Sequence, residues 1–441
     1  MSETKTEAKK LSRLDLLSMA AGQIIGVGIM TMTGIAIGFT GRSVNFAYLV
    51  AGIITILGAI PQIYIGGTAN FLGGQYSQIA VLSGQKLAGI YNYINLCMVF
   101  AVSMYTLSFT DYFLSLAPGA NVKLVSLVVL VVLFGMHFLG VKQAARLQNV
   151  MCLILALAIA AYIVFGAGSI QPGYFDAPDF LSGGPVGFLM ASIYLTFAAG
   201  GATYVVNYSS EAENPTRDIP FAIIVSTVGI VVLYAVMSTI AAGVLPVAEV
   251  AGKPLSVAAA TFMPKSVFTF FVVGGAMFAL LTTLNFSIGM MTFPAIRACN
   301  DGWLPKKLAE RNKKFGTPHW ILLIFFLIGI VPILVGLDLS TIANSTVILT
   351  TIVRGVIAYS ALQLPKKLPE LWNKSKFHVG KGQLTFFCVF TIVFAAISVV
   401  MLLVTTKPIQ ILGNAAILGV CTIIALLRNK HVHLEPSYTE K

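Results

Sequence analysis

Charge is what this 441-residue chain has least of: Asp, Glu, Lys and Arg make up 10% of it, against 57% hydrophobic residues. So little polar surface cannot cover a water-soluble particle of this size, which excludes a soluble enzyme or binding domain. Cysteine is scarce too. The five present, Cys97, Cys152, Cys299, Cys388 and Cys421, fall in apolar runs or beside basic loops, so neither a disulfide framework nor a thiolate metal site is expected. Histidine numbers five; His431 and His433 sit in a polar tail and His137 stands alone in its apolar run, so no metal and no cofactor is called for. Long polar connections are also missing, and the longest, about 167–185, 295–318 and 365–382, are too short to fold by themselves. Met1 to Lys10 is polar and the next apolar run is too long for a cleavable leader, so the N-terminus is expected to stay in the cytoplasm.

What is abundant is apolar sequence in runs of membrane length. Twelve spans are predicted near 14–39, 44–66, 86–110, 122–140, 143–166, 186–208, 220–244, 267–294, 319–337, 341–364, 383–405 and 409–427. An even number places both termini on one side, and on this layout that side carries 22 of the 28 Lys and Arg, the other five, with Arg354 inside a span. The positive-inside rule therefore predicts that both termini are cytoplasmic, in a cell-membrane protein. The net charge of +12 follows from basic loops facing anionic lipid, and nucleic acid is not an expected partner.

Two spans carry a flaw. Ile25-Gly26-Val27-Gly28-Ile29 lies midway along span one, and Phe197-Ala198-Ala199-Gly200-Gly201-Ala202 midway along span six. Close helix packing is one reading, since Gly22/Gly26 and Gly34/Gly38 are small-xxx-small pairs. Yet Gly26 and Gly28 lie about 200° apart on a helix, and Gly200 and Gly201 about 100°, so one packing face cannot use each pair. The other reading is a broken helix at each position. Corresponding breaks in two halves point to an inverted-repeat transporter with its site at the midplane.

At such a break the N–H groups of Val27, Gly28 and Ile29 face the positive end of a helix dipole and suit a carboxylate. Carbonyls near Ile24 and Ile25, and near Thr196, Phe197 and Ala198, suit an ammonium group. Together they fit the backbone of an α-amino acid. Side-chain preference is expected from Ala101, Ser103, Ala199, Ala202, Thr282, Thr283 and Asn285. For Thr283 and Asn285 an interhelical hydrogen bond is the competing role. No Asp or Glu falls in the middle of these spans, Asp111 lying at an outer end. That favours a neutral amino acid, modestly large given the small Ala202, over a cationic amino acid or polyamine. Phe197 is either a gate or ordinary packing, and Arg354 either functional or a structural, snorkelling arginine. A channel would want a charged ring and a membrane enzyme a cluster of His, Asp, Glu or Cys at depth; neither is seen.

Four stretches resemble the amino acid-polyamine-organocation transporters. They are Gly22-Gln23-Ile24-Ile25-Gly26-Val27-Gly28-Ile29 with Gly34, Phe71-Leu72-Gly73-Gly74-Gln75-Tyr76, Glu213-Asn214-Pro215-Thr216-Arg217-Asp218-Ile219-Pro220, and Asn300-Asp301-Gly302-Trp303-Leu304-Pro305 with Gly316-Thr317-Pro318. Each is weak alone; four in order across ten spans are specific. The resemblance implies an all-α polytopic membrane protein of twelve transmembrane helices, a five-plus-five inverted repeat (the leucine-transporter fold) with helices 1 and 6 discontinuous and two further helices. The first repeat would be 14–166, the second 186–364 and the added helices 383–427, between tails 1–13 and 428–441. It further implies an amino acid carried by alternating access, with Gly26, Gly28, Gly200 and Gly201 at the substrate and no obligate protein partner. Where many relatives have a membrane-embedded lysine, span five has Leu155, which removes that cation and makes exchange the more plausible mode. Span eight has Thr292-Phe293 where relatives often have Ser-Arg, with Arg297 one turn on.

Overall fold

The computed structural model describes residues 10–26, 28–337, 339–435 and 437–440, and these are almost entirely helical. Among the described residues nine helical stretches are long and apolar enough to cross a membrane, and Val122–Phe138, His319–Val335 and Ser345–Ala361 are shorter apolar helices. Large apolar side chains such as Leu124, Val131, Leu153, Val164, Leu327 and Ile423 are exposed on these helices, as lipid-facing surfaces require.

The chain runs through α1 (Arg13–Ile24), α2 (Thr33–Thr40), α3 (Val44–Thr68), α4 (Gly74–Ser83), α5 (Gln85–Cys97), α6 (Val102–Leu116), α7 (Val122–Phe138), α8 (Val141–Ala167) and α9 (Gly184–Ala199). It continues through α10 (Pro215–Gly243), the short α11 (Val247–Val250), α12 (Leu255–Phe262) and α13 (Lys265–Phe270), then α14 (Phe278–Asn300), α15 (His319–Val335) and α16 (Leu339–Ala361). Two short turns, α17 (Leu364–Lys367) and α18 (Pro369–Lys374), lead to α19 (Lys381–Thr405) and α20 (Pro408–Arg428).

Helix contacts show a regular offset. The most extensive packing is α3 against α10, and α6 packs on α14 and α7 on α15. In the order of the apolar runs these are the second with the seventh, the third with the eighth and the fourth with the ninth. α19 leans on α16 and α3, and α20 on α5. Only 17% and 22% of their apolar windows are buried, so both lie at the periphery.

Both described ends of the chain pack on one face. Ser12 caps α1 through a reciprocal box with Asp15. Just before it, Leu11 N–H donates to the Glu211 carbonyl (2.7 Å) and Glu213 N–H to the Leu11 carbonyl (3.0 Å). Arg13 pairs with the buried Asp218 at 2.7 Å, and Asp15 accepts from Lys142 (2.7 Å) and Asn149 (2.8 Å). At the other end, β2 (Tyr438–Thr439) pairs antiparallel with β1 (Asn70–Phe71). Arg297 holds Asp301 at 3.0 Å and donates to the Glu435 carbonyl at 2.9 Å, while the Tyr76 hydroxyl donates to Asp301 at 2.8 Å. Burial pushes the Asp301 carboxyl above its usual range, against the pull of Tyr76 and Arg297. Two of the motif stretches thus form this face: Gly73 backs onto Arg297, and Trp303 is fully buried against Gly89.

Arg297→Ala strips Asp301, which is 1% exposed in its side chain, of its cation. Loss of one partner of a buried pair costs about 3 kcal/mol or more. The apparent midpoint of thermal unfolding in detergent should fall clearly, while Lys314→Ala on the exposed loop should leave it unchanged.

Candidate functional site

The glycine flaws open the chain where the sequence places them. α1 stops at Ile24, Ile25 is extended (φ −78°, ψ 99°), and helical geometry resumes at Gly28 as a five-residue π turn before α2. π turns and 3-10 stretches inside helices are frequent at functional sites. Val27 lies outside the described residues. The N–H groups that open the Gly28 segment have no partner within it. In span six, α9 stops at Ala199, Gly200 is extended (φ −81°, ψ 171°) and Gly201 takes φ +120°. A side chain is strained at that Gly201 conformation. Beyond it the chain winds as 3-10 over Ala202–Glu211, ten residues where three or four are usual.

The two breaks face each other. A Cβ on Gly28 would come within 2.7 Å of Ala198 Cα, and one on Gly201 within 2.9 Å of Gln23 Cγ and 3.1 Å of the Gln23 carbonyl. Only bare backbone lets the segments approach this closely. The packing and broken-helix readings of these glycines are therefore one answer: the chain breaks and the broken ends pack.

Between the breaks lies a cavity of about 90 Å³. Among the expected residues it is lined by Ile24, Gly26, Gly28, Phe197, Ala198, Gly200, Gly201, Thr283, Ala101 and Arg354. Others lie off it. Ile25 and Ile29 are buried in the packing around it, and the Thr196 hydroxyl turns back to the Ile193 carbonyl at 2.6 Å. Ala199 and Ala202 are buried away from the cavity, so the room expected from a small residue at 202 is not there. Ser103 and Thr282 bond to backbone carbonyls, of Phe100 and of Gly22 and Ala279 respectively. Asn285 takes the interhelical role of the two expected for it. Its amide donates to Gln148 Oε1 (2.8 Å) and the Ala144 carbonyl (3.1 Å), and its own carbonyl meets His137 Nε2 at 2.8 Å. It ties α14 to α8 and α7 and does not line the cavity. The physical reason is helical phase: Thr283 and Ser287, four apart, face the cavity, and 285 points about 200° from 283.

The carbonyls at the end of α1 are not bare. Thr283 Oγ1 lies 2.8 Å from the Gly22 carbonyl and 3.3 Å from that of Ile25, and the Tyr234 hydroxyl donates to the Ile24 carbonyl at 3.0 Å. The Gly22 carbonyl takes Thr282 as well, whereas a carbonyl with one such donor keeps a second lone pair, so the Ile24 end of α1 is supported and still able to accept.

Sequence reasoning missed much of the lining. Tyr105, Tyr204, Met98, Met104, Met290 and Met291 supply the bulk, and Gln23, Ser287, Thr346 and Thr350 the polarity. One signal was available. Thr346, Thr350 and Arg354 recur every four residues in an otherwise apolar helix, which puts them on one face. Among the lining residues there is no Asp or Glu.

The amino acid permease family model matches residues 11–427 of the chain. The chain is 28% identical to the methylthioribose transporter of Bacillus subtilis, covering 86% of this chain and 85% of that protein. It is 26% identical to the branched-chain amino acid permease of the same organism, covering 88% of each. A third relative is the large neutral amino acids transporter small subunit 2 of Oryctolagus cuniculus, at 26% identity over 82% of this chain and 71% of the other. These relatives are transporters, not enzymes. A match that begins just before the first broken helix and ends with the last membrane helix leaves one conclusion: this chain is a multi-pass membrane protein of the amino acid permease family, within the amino acid-polyamine-organocation superfamily.

Proposed function

We propose that this protein is a secondary transporter that moves amino acids, neutral ones among them, across the membrane by alternating access, exchanging one for another. The observation that carries the reading is the cavity between two facing chain breaks. The N–H groups that open the Gly28 segment would offer a carboxylate its partners, and the second lone pairs of the Ile24 and Phe197 carbonyls would serve an ammonium group. The branched-chain and large neutral amino acid relatives support a neutral cargo. A cationic amino acid or polyamine, the other reading of the sequence and the cargo named for a more distant relative from Arabidopsis thaliana, fits poorly. The cavity holds a guanidinium and no carboxylate to receive a second positive charge.

We further propose twelve spans in a five-plus-five inverted repeat, with α19 and α20 added outside. Supporting this are the two breaks five spans apart and the packing of the second, third and fourth apolar runs each on the run five further along. The lysine- and arginine-rich face, where Leu11 meets Ala212 and Phe71 meets Tyr438, would be cytoplasmic, in the cell membrane. The exchange reading rests on Leu155, which is buried and uncharged where relatives place a lysine.

Uptake of an amino acid panel into proteoliposomes tests the reading. Neutral amino acids should enter, faster when the vesicles are preloaded with amino acid, and with no requirement for sodium or a proton gradient. No movement of any amino acid under any gradient would overturn it. Gly28→Ala should lower uptake of every substrate at least tenfold, because the added methyl meets Ala198 and covers the carboxylate site. Equal uptake by a variant of unchanged thermal stability would remove the backbone cradle from the mechanism.

A further inference from the structure

We infer that Arg354 is a specificity residue that receives an anionic group at the end of the substrate's side chain, so that acidic amino acids of the aspartate and glutamate class are carried as well as neutral ones. The inference rests on the cavity being the amino acid site.

Arg354 lies 15 residues into α16 and seven from its end, so about 10 Å of helix separates it from the nearer terminus. That is deep in a hydrocarbon layer about 30 Å thick. A snorkelling arginine would turn to the interface, but this side chain lines the cavity: Nη2 is 3.4 Å from where a Cβ on Gly200 would stand. Six ion pairs are formed among the described residues and none includes Arg354. No hydrogen bond among those residues engages it either, and Tyr204 and Thr350 are polar side chains that line the cavity with it. All the other arginines buried to a comparable depth have acids: Arg42 has Asp179 at 3.0 Å and Arg297 has Asp301.

A fixed cation at this depth is best met by an anion, and the described residues that line the cavity supply none. The substrate can supply one. Its α-carboxylate is taken at the first break, where Gly28 abuts Ala198, whereas Arg354 abuts Gly200, two residues further on. Two residues of chain span at most about 7 Å, which is the scale separating the two acid groups of a short acidic amino acid. A guanidinium fork matches a carboxylate with two parallel hydrogen bonds and fits neither a methyl nor an ammonium end in that way. Neutral amino acids remain substrates because their side chains leave Arg354 to water in the cavity.

The test uses the purified full-length protein in proteoliposomes. Wild type should take up labelled aspartate or glutamate, and either should compete with a neutral amino acid at a concentration within about tenfold of that neutral amino acid itself. Arg354→Leu should lose acidic uptake at least tenfold more than it loses neutral uptake, and Arg354→Lys should fall between. Arg354→Gln serves where the leucine variant shows a lowered thermal midpoint. If neutral amino acids are carried but acidic ones neither enter nor compete, the inference is overturned and the transport reading stands. If a stable Arg354 variant loses all substrates alike, Arg354 binds the shared α-carboxylate and the inference is again overturned. If wild type carries no amino acid at all, the transport reading itself fails.

Discussion

Inside a bilayer every peptide N–H and C=O must find a partner, because lipid offers none and each orphan costs several kcal/mol. An unbroken helix meets that demand by itself; a broken one must be supplied from outside. Here the supply is visible. Thr282 and Thr283 of α14 and Tyr234 of α10 serve the carbonyls at the end of α1, and Thr55 of α3 approaches the Thr196 carbonyl at 3.4 Å. Bare glycines let the broken ends meet Ala198 and Gln23. What this support does not reach is the start of the segment at Gly28, which lines the cavity and which we propose as the carboxylate site. The site is thus the remainder of a backbone-satisfaction problem solved almost everywhere else.

The same constraint explains which parts of the molecule were legible in the sequence. Span positions were, because lipid demands runs of apolar residues, and the predicted runs at 44–66, 143–166 and 319–337 end within a few residues of α3, α8 and α15. Both breaks were, because glycine pairs there fit no single packing face. The lining of the cavity was much less so. Asn285 looked like a ligand since polarity in a span invites a functional reading, yet it bonds Gln148, itself polar and in a neighbouring helix. Phase and partner choice are tertiary facts that composition does not carry. The methionines and tyrosines of the lining read as ordinary membrane residues, and only the four-residue recurrence from Thr346 to Arg354 marked a face.

The segments beside the two breaks are tied to each other at one end. Leu11, just before α1, bridges the chain at Glu211–Glu213, just after the 3-10 stretch of span six, and Arg13 pairs with Asp218 beyond it. Lys142 and Asn149 hold Asp15 from α8. The C-terminal strand seals the neighbouring corner through Asn70–Phe71, where the Ser209 hydroxyl also bonds the Phe71 carbonyl. Polar contacts of this kind near water are individually modest, unlike the apolar packing of α3 on α10. These modest contacts lie beside helices broken at glycine, and they are the contacts that the proposed alternating access would have to open and remake.

Charge at depth completes the account. The span-five position where the resemblance implies a cation is the buried Leu155, and this chain places a cation, Arg354 of α16, on the cavity wall. The exchange matters because the two places see different things. A cation buried in packing between helices acts on the protein, stabilising one arrangement over another as it gains or loses a proton. A cation on the wall of the cavity acts on the cargo. Arginine moreover stays charged where lysine would titrate, so Arg354 cannot couple transport to protons by releasing one. It can only attract, repel or ignore what enters, so on the proposed reading the charge on the cavity wall serves selection by charge and not energisation.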